Sequence, residues 1–271
     1  MSSPSTSPQP DAEVPARQTA TQRRQADILA LLREHGTLAV ADLPDRYRVS
    51  AETIRRDLRH LEEVRAVTRS YGQVRVVDSG AFETDLTFRE SHLVEEKLRI
   101  ANAAATHLAQ AETVFLDEGH LPTLLGRALP QDRALTIVTT NLRAATELSQ
   151  HPPFTVITVG GRVRRSTLGV TGRWAAAMLR QVEPDLAFLG ANAVTADGWL
   201  TTPEAGVAEV KETVLANARR TVFVAGHEKF GRSTFVRFGH VRDVERVITG
   251  RELRESTARH LHRLGAQVER V

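Results

Sequence analysis

The run Val49-Ser50-Ala51-Glu52-Thr53-Ile54-Arg55-Arg56-Asp57-Leu58-Arg59-His60-Leu61-Glu62 contains the start, the buried face and the exposed face of a single helix. Ser50 is a good N-cap, because its hydroxyl can accept a hydrogen bond from a free amide of the first turn. Ile54, Leu58 and Leu61 recur at helical spacing and form the buried stripe. Thr53, Arg55, Arg56 and Arg59 fall largely elsewhere on the wheel, where they can meet a groove edge or phosphates. The same pattern describes an ordinary amphipathic helix with a solvated arginine face. The flanking sequence decides between the two.

Upstream, Arg23 to Glu34 carries Ile28, Leu31 and Leu32 on one face and stops at Gly36, a natural helix end. Val40 to Tyr47 is expected to be a short second helix, with Pro44 inside it removing one amide donor. Arg48 and Val49 turn the chain into Ser50. Two short helices and a tight turn ahead of an arginine-rich helix is the helix-turn-helix order, with the last helix in the major groove. Downstream, Ala66 to Arg69 and Val74 to Val77 flank Ser70-Tyr71-Gly72-Gln73, a plausible hairpin wing. Between Arg46 and Arg75 there are eight arginines against Glu52, Asp57, Glu62 and Glu63. That local excess suits phosphate contact, and arginine also forks onto guanine edges.

On these residues the chain resembles the DeoR family of bacterial transcriptional regulators. The carrying residues are Val49-Ser50, Thr53-Ile54-Arg55-Arg56-Asp57-Leu58, Leu61-Glu62 and Arg69. The family commonly has a glycine where this chain has Glu63-Val64, and a His-Gly-Gly turn where it has Ser70-Tyr71-Gly72. The expected DNA contacts are Ser50, Glu52, Thr53, Arg55, Arg56, Arg59 and Arg69, on a double-stranded operator.

At 271 residues the chain holds a small module plus a larger domain with its own core. It has no cysteine, which excludes disulfides and thiolate metal sites and fits a reducing cytoplasm. No apolar run approaches a membrane span. Residues 1–20 are rich in Ser, Pro and Thr and read as a disordered tail. The formal net charge is only +3, so the local distribution of arginine carries the nucleic-acid argument rather than the total. Only Lys97, Lys211 and Lys229 are lysines, against 33 arginines (36 basic residues less three). An ammonium is compact on a flexible stem, so Lys211 and Lys229 are candidates for a tight anion site. Lys97 reads as a surface residue at a charged helix start.

Beyond a linker at 78–92 the pattern alternates helices with short apolar strands. Thr113–Leu116 runs into Asp117-Glu118-Gly119-His120, Leu135–Val138 into Thr139-Thr140-Asn141, and Phe154–Val159 into Gly160-Gly161. Leu186–Leu189 runs into Gly190-Ala191-Asn192, and Thr221–Ala225 into Gly226-His227-Glu228-Lys229. Such strands argue for a parallel sheet with covered faces, which places ligands at its carboxyl edge. Any one of these glycines can simply make a turn. Five such ends together point to a small anion held by backbone amides. No Gly-x-Gly-x-x-Gly follows the first strand, so no dinucleotide cofactor is expected.

The resemblance implies that residues 93–271 form a Rossmann-like sensor and oligomerisation domain related to ribose-5-phosphate isomerase. It follows a winged helix-turn-helix at 22–77, with the helix-turn-helix at about 39–58. It also implies a repressor of a sugar or related carbon operon, relieved by a phosphorylated sugar. The implied effector contacts are Asp117, Gly119, His120, Thr140, Asn141, Gly160, Gly161, Lys211 and Lys229. His120-Leu121 stand where the family has two threonines, and His120 could either meet a phosphate as a cation or cap the next helix. No catalytic residue, metal or cofactor is expected, and the chain reads as a cytoplasmic homo-oligomer with no membrane partner. The alternatives are a sugar-phosphate isomerase or deaminase using Asp117, Glu209 and His120, or a regulator whose second domain only dimerises.

Overall fold

The computed structural model describes residues 20–64, 66–76, 90 and 92–271. The expected tail (except Ala20) and most of the expected linker lie outside them. The N-terminal unit opens with α1 (Ala20–His35), which ends at Gly36, and β1 (Thr37–Ala39). Val40–Asp42 form a single 3-10 turn rather than the start of the second helix. That helix, α2 (Leu43–Tyr47), begins three residues later than expected, because Pro44 occupies its first turn. There a missing amide costs nothing.

Arg48, in the left-handed region at φ 52°, closes α2 and leads into α3 (Ala51–Glu63). Ser50 caps α3 as the sequence indicates, accepting from the Thr53 amide at 3.2 Å. Ile54, Leu58 and Leu61 pack with Ile28, Leu29, Leu32 and Leu43. The wing is β2 (Val67–Ser70) against β3 (Gln73–Val76), and β1 adds a third antiparallel strand beside β3 that the sequence reading lacks.

The second unit carries a seven-stranded, all-parallel sheet. Its strands are β4 (Thr113–Leu116), β5 (Leu135–Thr139), β6 (Phe154–Thr158), β9 (Leu186–Leu189), β12 (Thr221–Val224), β14 (Arg246–Thr249) and β15 (Val268–Arg270). Their spatial order is β15-β14-β12-β9-β4-β5-β6. The chain therefore builds outward from β4 to one edge, then returns and builds to the other. The order reverses between β4 and β9.

Side chains alternate across the sheet with the two-residue period of a strand. Val114 and Leu116 face a layer of α4 (Val94–Thr106), α5 (His120–Ala128) and α6 (Leu142–Leu148). Phe115 faces the opposite layer, where α7 (Arg173–Leu179) and α8 (Ala205–Asn217) pack. Phe223 packs toward α9 (Glu255–Arg263).

Two small antiparallel additions flank this sheet. One pairs β7 (Arg162–Val163) with β8 (Val170–Thr171); the other orders β10 (Ala193–Val194), β11 (Trp199–Thr202) and β13 (Val236–His240). No helix among the described residues is long and apolar enough to cross a membrane.

Candidate functional site

On α3, Ser50, Glu52, Arg55, Arg56 and Arg59 are exposed and Thr53 is half-buried. The Thr53 hydroxyl lies 2.9 Å from that of Ser50, so both belong to the helix cap. Arg55 faces Glu52 at 3.5 Å across the surface, a solvated pair of little energetic weight. Asp57 points inward: it is buried and accepts from Arg24 Nε at 2.5 Å and Gln25 Nε2 at 3.2 Å. The acid within the arginine run thus fastens α3 to α1 and leaves the outer face cationic. Arg69 donates its amide to Glu62 Oε1 at 3.1 Å and its Nε to Glu62 Oε2 at 2.8 Å, which locks the wing to the last turn of α3. The carboxylate hydrogen bond holds the Arg69 guanidinium above its ordinary pKa.

In the sheet domain the strand order reverses between β4 and β9, and the carboxyl ends of strands at such a point are where open α/β sheets bind ligands. Asp117 and Gly190 meet there, with the Gly190 amide donating to Asp117 Oδ2 at 2.8 Å. Lys211, reaching in from α8, is buried, forms an ion pair with Asp117 and donates to the Gly190 carbonyl at 3.1 Å. Asn141 donates to the Gly119 carbonyl and the Thr123 hydroxyl, each at 2.9 Å, and caps α6 through Oδ1. Asp117 and Lys211 thus join Gly190, and Asn141 joins Gly119.

The remaining candidates are attached more loosely. The Thr140 carbonyl accepts from Val170 at 2.7 Å. Gly161 sits at φ 156° so close to Thr171 that an added Cβ would lie 2.9 Å from its carbonyl oxygen, which requires glycine. The exposed Gly160 donates its amide to Met178 Sδ. Lys229 is half-buried beside Glu228 at 3.2 Å, and Glu228 bonds His92 at 2.9 Å.

Burial and the nearby cations Lys97 and Arg127 push the His120 imidazole down to about 4. It is therefore neutral at neutral pH in the ligand-free chain. Lys97 is also corrected: it is buried, and its ammonium donates to the His92 carbonyl at 2.5 Å.

Arg164 and Thr171 had no signal in the sequence. Arg164 is buried and bridges Glu118 (2.7 Å), Thr167 (3.2 Å) and Glu204 (3.3 Å), balancing the acid that follows Asp117. Thr140 and Thr171 carry buried hydroxyls that have no hydrogen-bond partner among the described residues. Buried hydroxyls are normally satisfied, and those of Thr234 and Thr249 are in the same condition. The enzymatic alternative loses its cluster: Asp117 is held by Lys211, His120 is neutral, and Glu209 lies on the surface near Arg180 at 3.4 Å.

A winged helix-turn-helix ahead of a parallel-sheet domain with polar groups gathered at its carboxyl edge has the organisation of a DNA-binding transcriptional regulator with a sensor domain. Residues 24–80 match the DeoR-like helix-turn-helix domain and residues 92–251 the DeoR C-terminal sensor domain. The chain belongs to the DeoR family.

Among its relatives is the HTH-type transcriptional regulator GlpR of Haloferax volcanii, 33% identical, with 90% of this chain and 96% of the relative aligned. The glycerol-3-phosphate regulon repressor of Escherichia coli is 31% identical over 84% of this chain and 90% of its own. The HTH-type transcriptional repressor CsqR of Escherichia coli is 33% identical over 83% and 86%. A solved ribose-5-phosphate isomerase A from Methanocaldococcus jannaschii covers 49% of this chain and 53% of its own at a TM-score of 0.36 and 20% identity. A likeness of that size has no bearing on function.

Proposed function

We propose that the protein is a cytoplasmic repressor that binds operator DNA through α3 and the wing and is released by a phosphorylated sugar or similar small anion held at the carboxyl ends of the sheet strands. The carrying observation is the division of α3: its apolar stripe and Asp57 are buried, while Arg55, Arg56 and Arg59 stand exposed on one continuous helix. Relatives named as repressors, one of them of a glycerol-3-phosphate regulon, support the direction of control and the effector class. The half-buried Lys229 supports an anionic guest.

Replacing Arg55 or Arg56 by Ala is expected to cost about 1–3 kcal/mol of operator affinity where the side chain reads a base. A phosphate contact would instead weaken all duplexes alike and flatten the salt dependence. Anisotropy titrations with a duplex selected by the full chain from a randomised pool distinguish these outcomes. Undiminished binding by the double alanine variant would sink the assignment.

For the effector, a thermal-shift panel of sugar phosphates and glycerol 3-phosphate is expected to yield at least one stabilising compound. Lys229→Ala should abolish that response while ligand-free DNA binding stays intact. If no compound shifts the wild type, the sheet domain serves only assembly.

Assembly itself is part of the reading. Ile157, Val163, Trp174 and Met178 are exposed along β6, β7 and α7, where the sheet ends in an open edge strand. A second copy paired edge to edge would cover them. Two recognition helices would then meet successive half-sites. Sedimentation showing a monomer at micromolar concentration, free and on DNA, would count against this.

A further inference from the structure

Three side chains outside the proposed DNA and effector contacts converge where β12 and β14 end. Glu96 comes from the first turn of α4, His227 from the turn after β12 and Glu252 from the loop after β14. One donor atom from each lies within 4.8 Å of the other two. His227 Nδ1 stands 2.9 Å from Glu96 Oε2, and the His227 amide donates to Glu96 Oε1 at 2.7 Å. Glu96 is buried, His227 half-buried and Glu252 exposed, so the group is anchored at its base and open at its rim. Glu96 and His227 are 131 positions apart, so no ligand spacing announces the group in the sequence.

Gly250 shows how closely the two acids meet. A Cβ at that position would collide with both Glu96 Oε1 and Glu252 Oε2. One oxygen of each carboxylate is thus brought over the same stretch of backbone, which only glycine leaves free. Two carboxylates sharing a site repel each other unless positive charge stands with them. Arg99 meets the other oxygen of Glu252, Oε1, at 2.5 Å. The space that Glu96, Glu252 and the imidazole enclose is therefore rich in acceptor oxygens. Carboxylates alone would suit a hard cation such as Ca2+ or Mg2+, and the nitrogen donor turns the preference toward zinc and its neighbours.

We propose that Glu96, His227 and Glu252 form a binding site for one divalent transition metal of the zinc class, with an open position toward solvent for water or a ligand oxygen. Bonds of about 2.0–2.2 Å to one tetrahedral ion separate adjacent donors by about 3.3 Å, close to the present spacing of His227 Nδ1 and Glu96 Oε2. The ion takes the place of the proton between them. It ties the helix that opens the sheet domain to the ends of two strands, so binding also stabilises the fold. Neither DNA nor an effector is required for it.

The test uses the full chain, stripped with a chelator and dialysed, with Co2+ as the probe because its visible bands report coordination. The wild type is expected to bind one Co2+ per chain at micromolar concentration, to release it to Zn2+, and to gain thermal stability from Zn2+. Glu252→Gln and His227→Asn, each shown to be folded by circular dichroism, should each weaken Co2+ binding by about 10-fold or more. Absence of saturable Co2+ binding by the wild type overturns the proposal. So does undiminished binding by either variant, since the ion is then held elsewhere. Glu252 is exposed, so its variant decides the matter even if His227→Asn fails to fold.

Discussion

Lys211→Met is expected to destabilise the sheet domain by about 3–5 kcal/mol, the usual consequence of leaving a buried charge without its partner. Methionine fills the volume of the lysine stem, so the loss reads charge and not packing. It leaves Asp117 fully buried, with the Gly190 and Glu118 amides as its remaining donors. The second substitution Asp117→Leu in the same chain should recover much of the loss, because replacing both partners removes the uncompensated charge. Trp174 and Trp199 are the chain's two tryptophans and both lie in this domain, so fluorescence-monitored urea unfolding follows it selectively. A loss below about 1 kcal/mol would mean that the pair behaves as a solvated surface bridge.

The second large effect is a pH dependence carried by His120. Its folded value of about 4 lies below the ordinary 6.5, so the unfolded chain takes up a proton first as pH falls. Stability is therefore lost between about pH 6.5 and pH 4, by on the order of 3 kcal/mol, and no further below that. His227 acts in the opposite sense. Its hydrogen bond to Glu96 raises its pKa, so its contribution is complete below its unfolded value and disappears as pH rises through the raised one. Comparing wild type with His120→Asn isolates the first histidine. The variant should lose about 3 kcal/mol less on going from pH 7 to pH 4. Parallel stability profiles for the two chains would refute the buried, neutral imidazole.

How much was legible in the sequence depended on how local the cause was. The cap, stripe and charged face of α3 lie within fourteen consecutive residues, so all three could be read together. Strands β4, β5, β6, β9 and β12 announced themselves as apolar runs ending in glycine or small polar residues. β14 and β15 did not: Arg246-Val247-Ile248-Thr249 is short and charge-flanked, and Val268-Glu269-Arg270 is a polar edge strand whose identity comes from its neighbour.

The candidate site divides the same way. Asp117, Asn141 and the glycines stand at strand ends and were visible as such. The pairing of Asp117 with Lys211 spans 94 positions, and the chemistry of Lys211 changes once that pairing is known. Lys97 was misread because a charged helix start gives no hint that the helix is packed on that side. Thr171 and Arg164 belong to the small β7–β8 excursion, whose short strands carry no periodicity to detect.

The fastening of Asp57 to Arg24 and Gln25, together with the Arg69–Glu62 bond, has a consequence for how control is exerted. Helix, scaffold and wing are thereby tied to one another by side-chain bonds on both flanks of α3. On the proposed reading of a paired, effector-released repressor, induction is expected to be metric: a bound effector would change the separation or phase of two such tied units along the duplex, and each unit would stay as it was before. Half-sites moved apart by a few base pairs should mimic the induced state with no effector present.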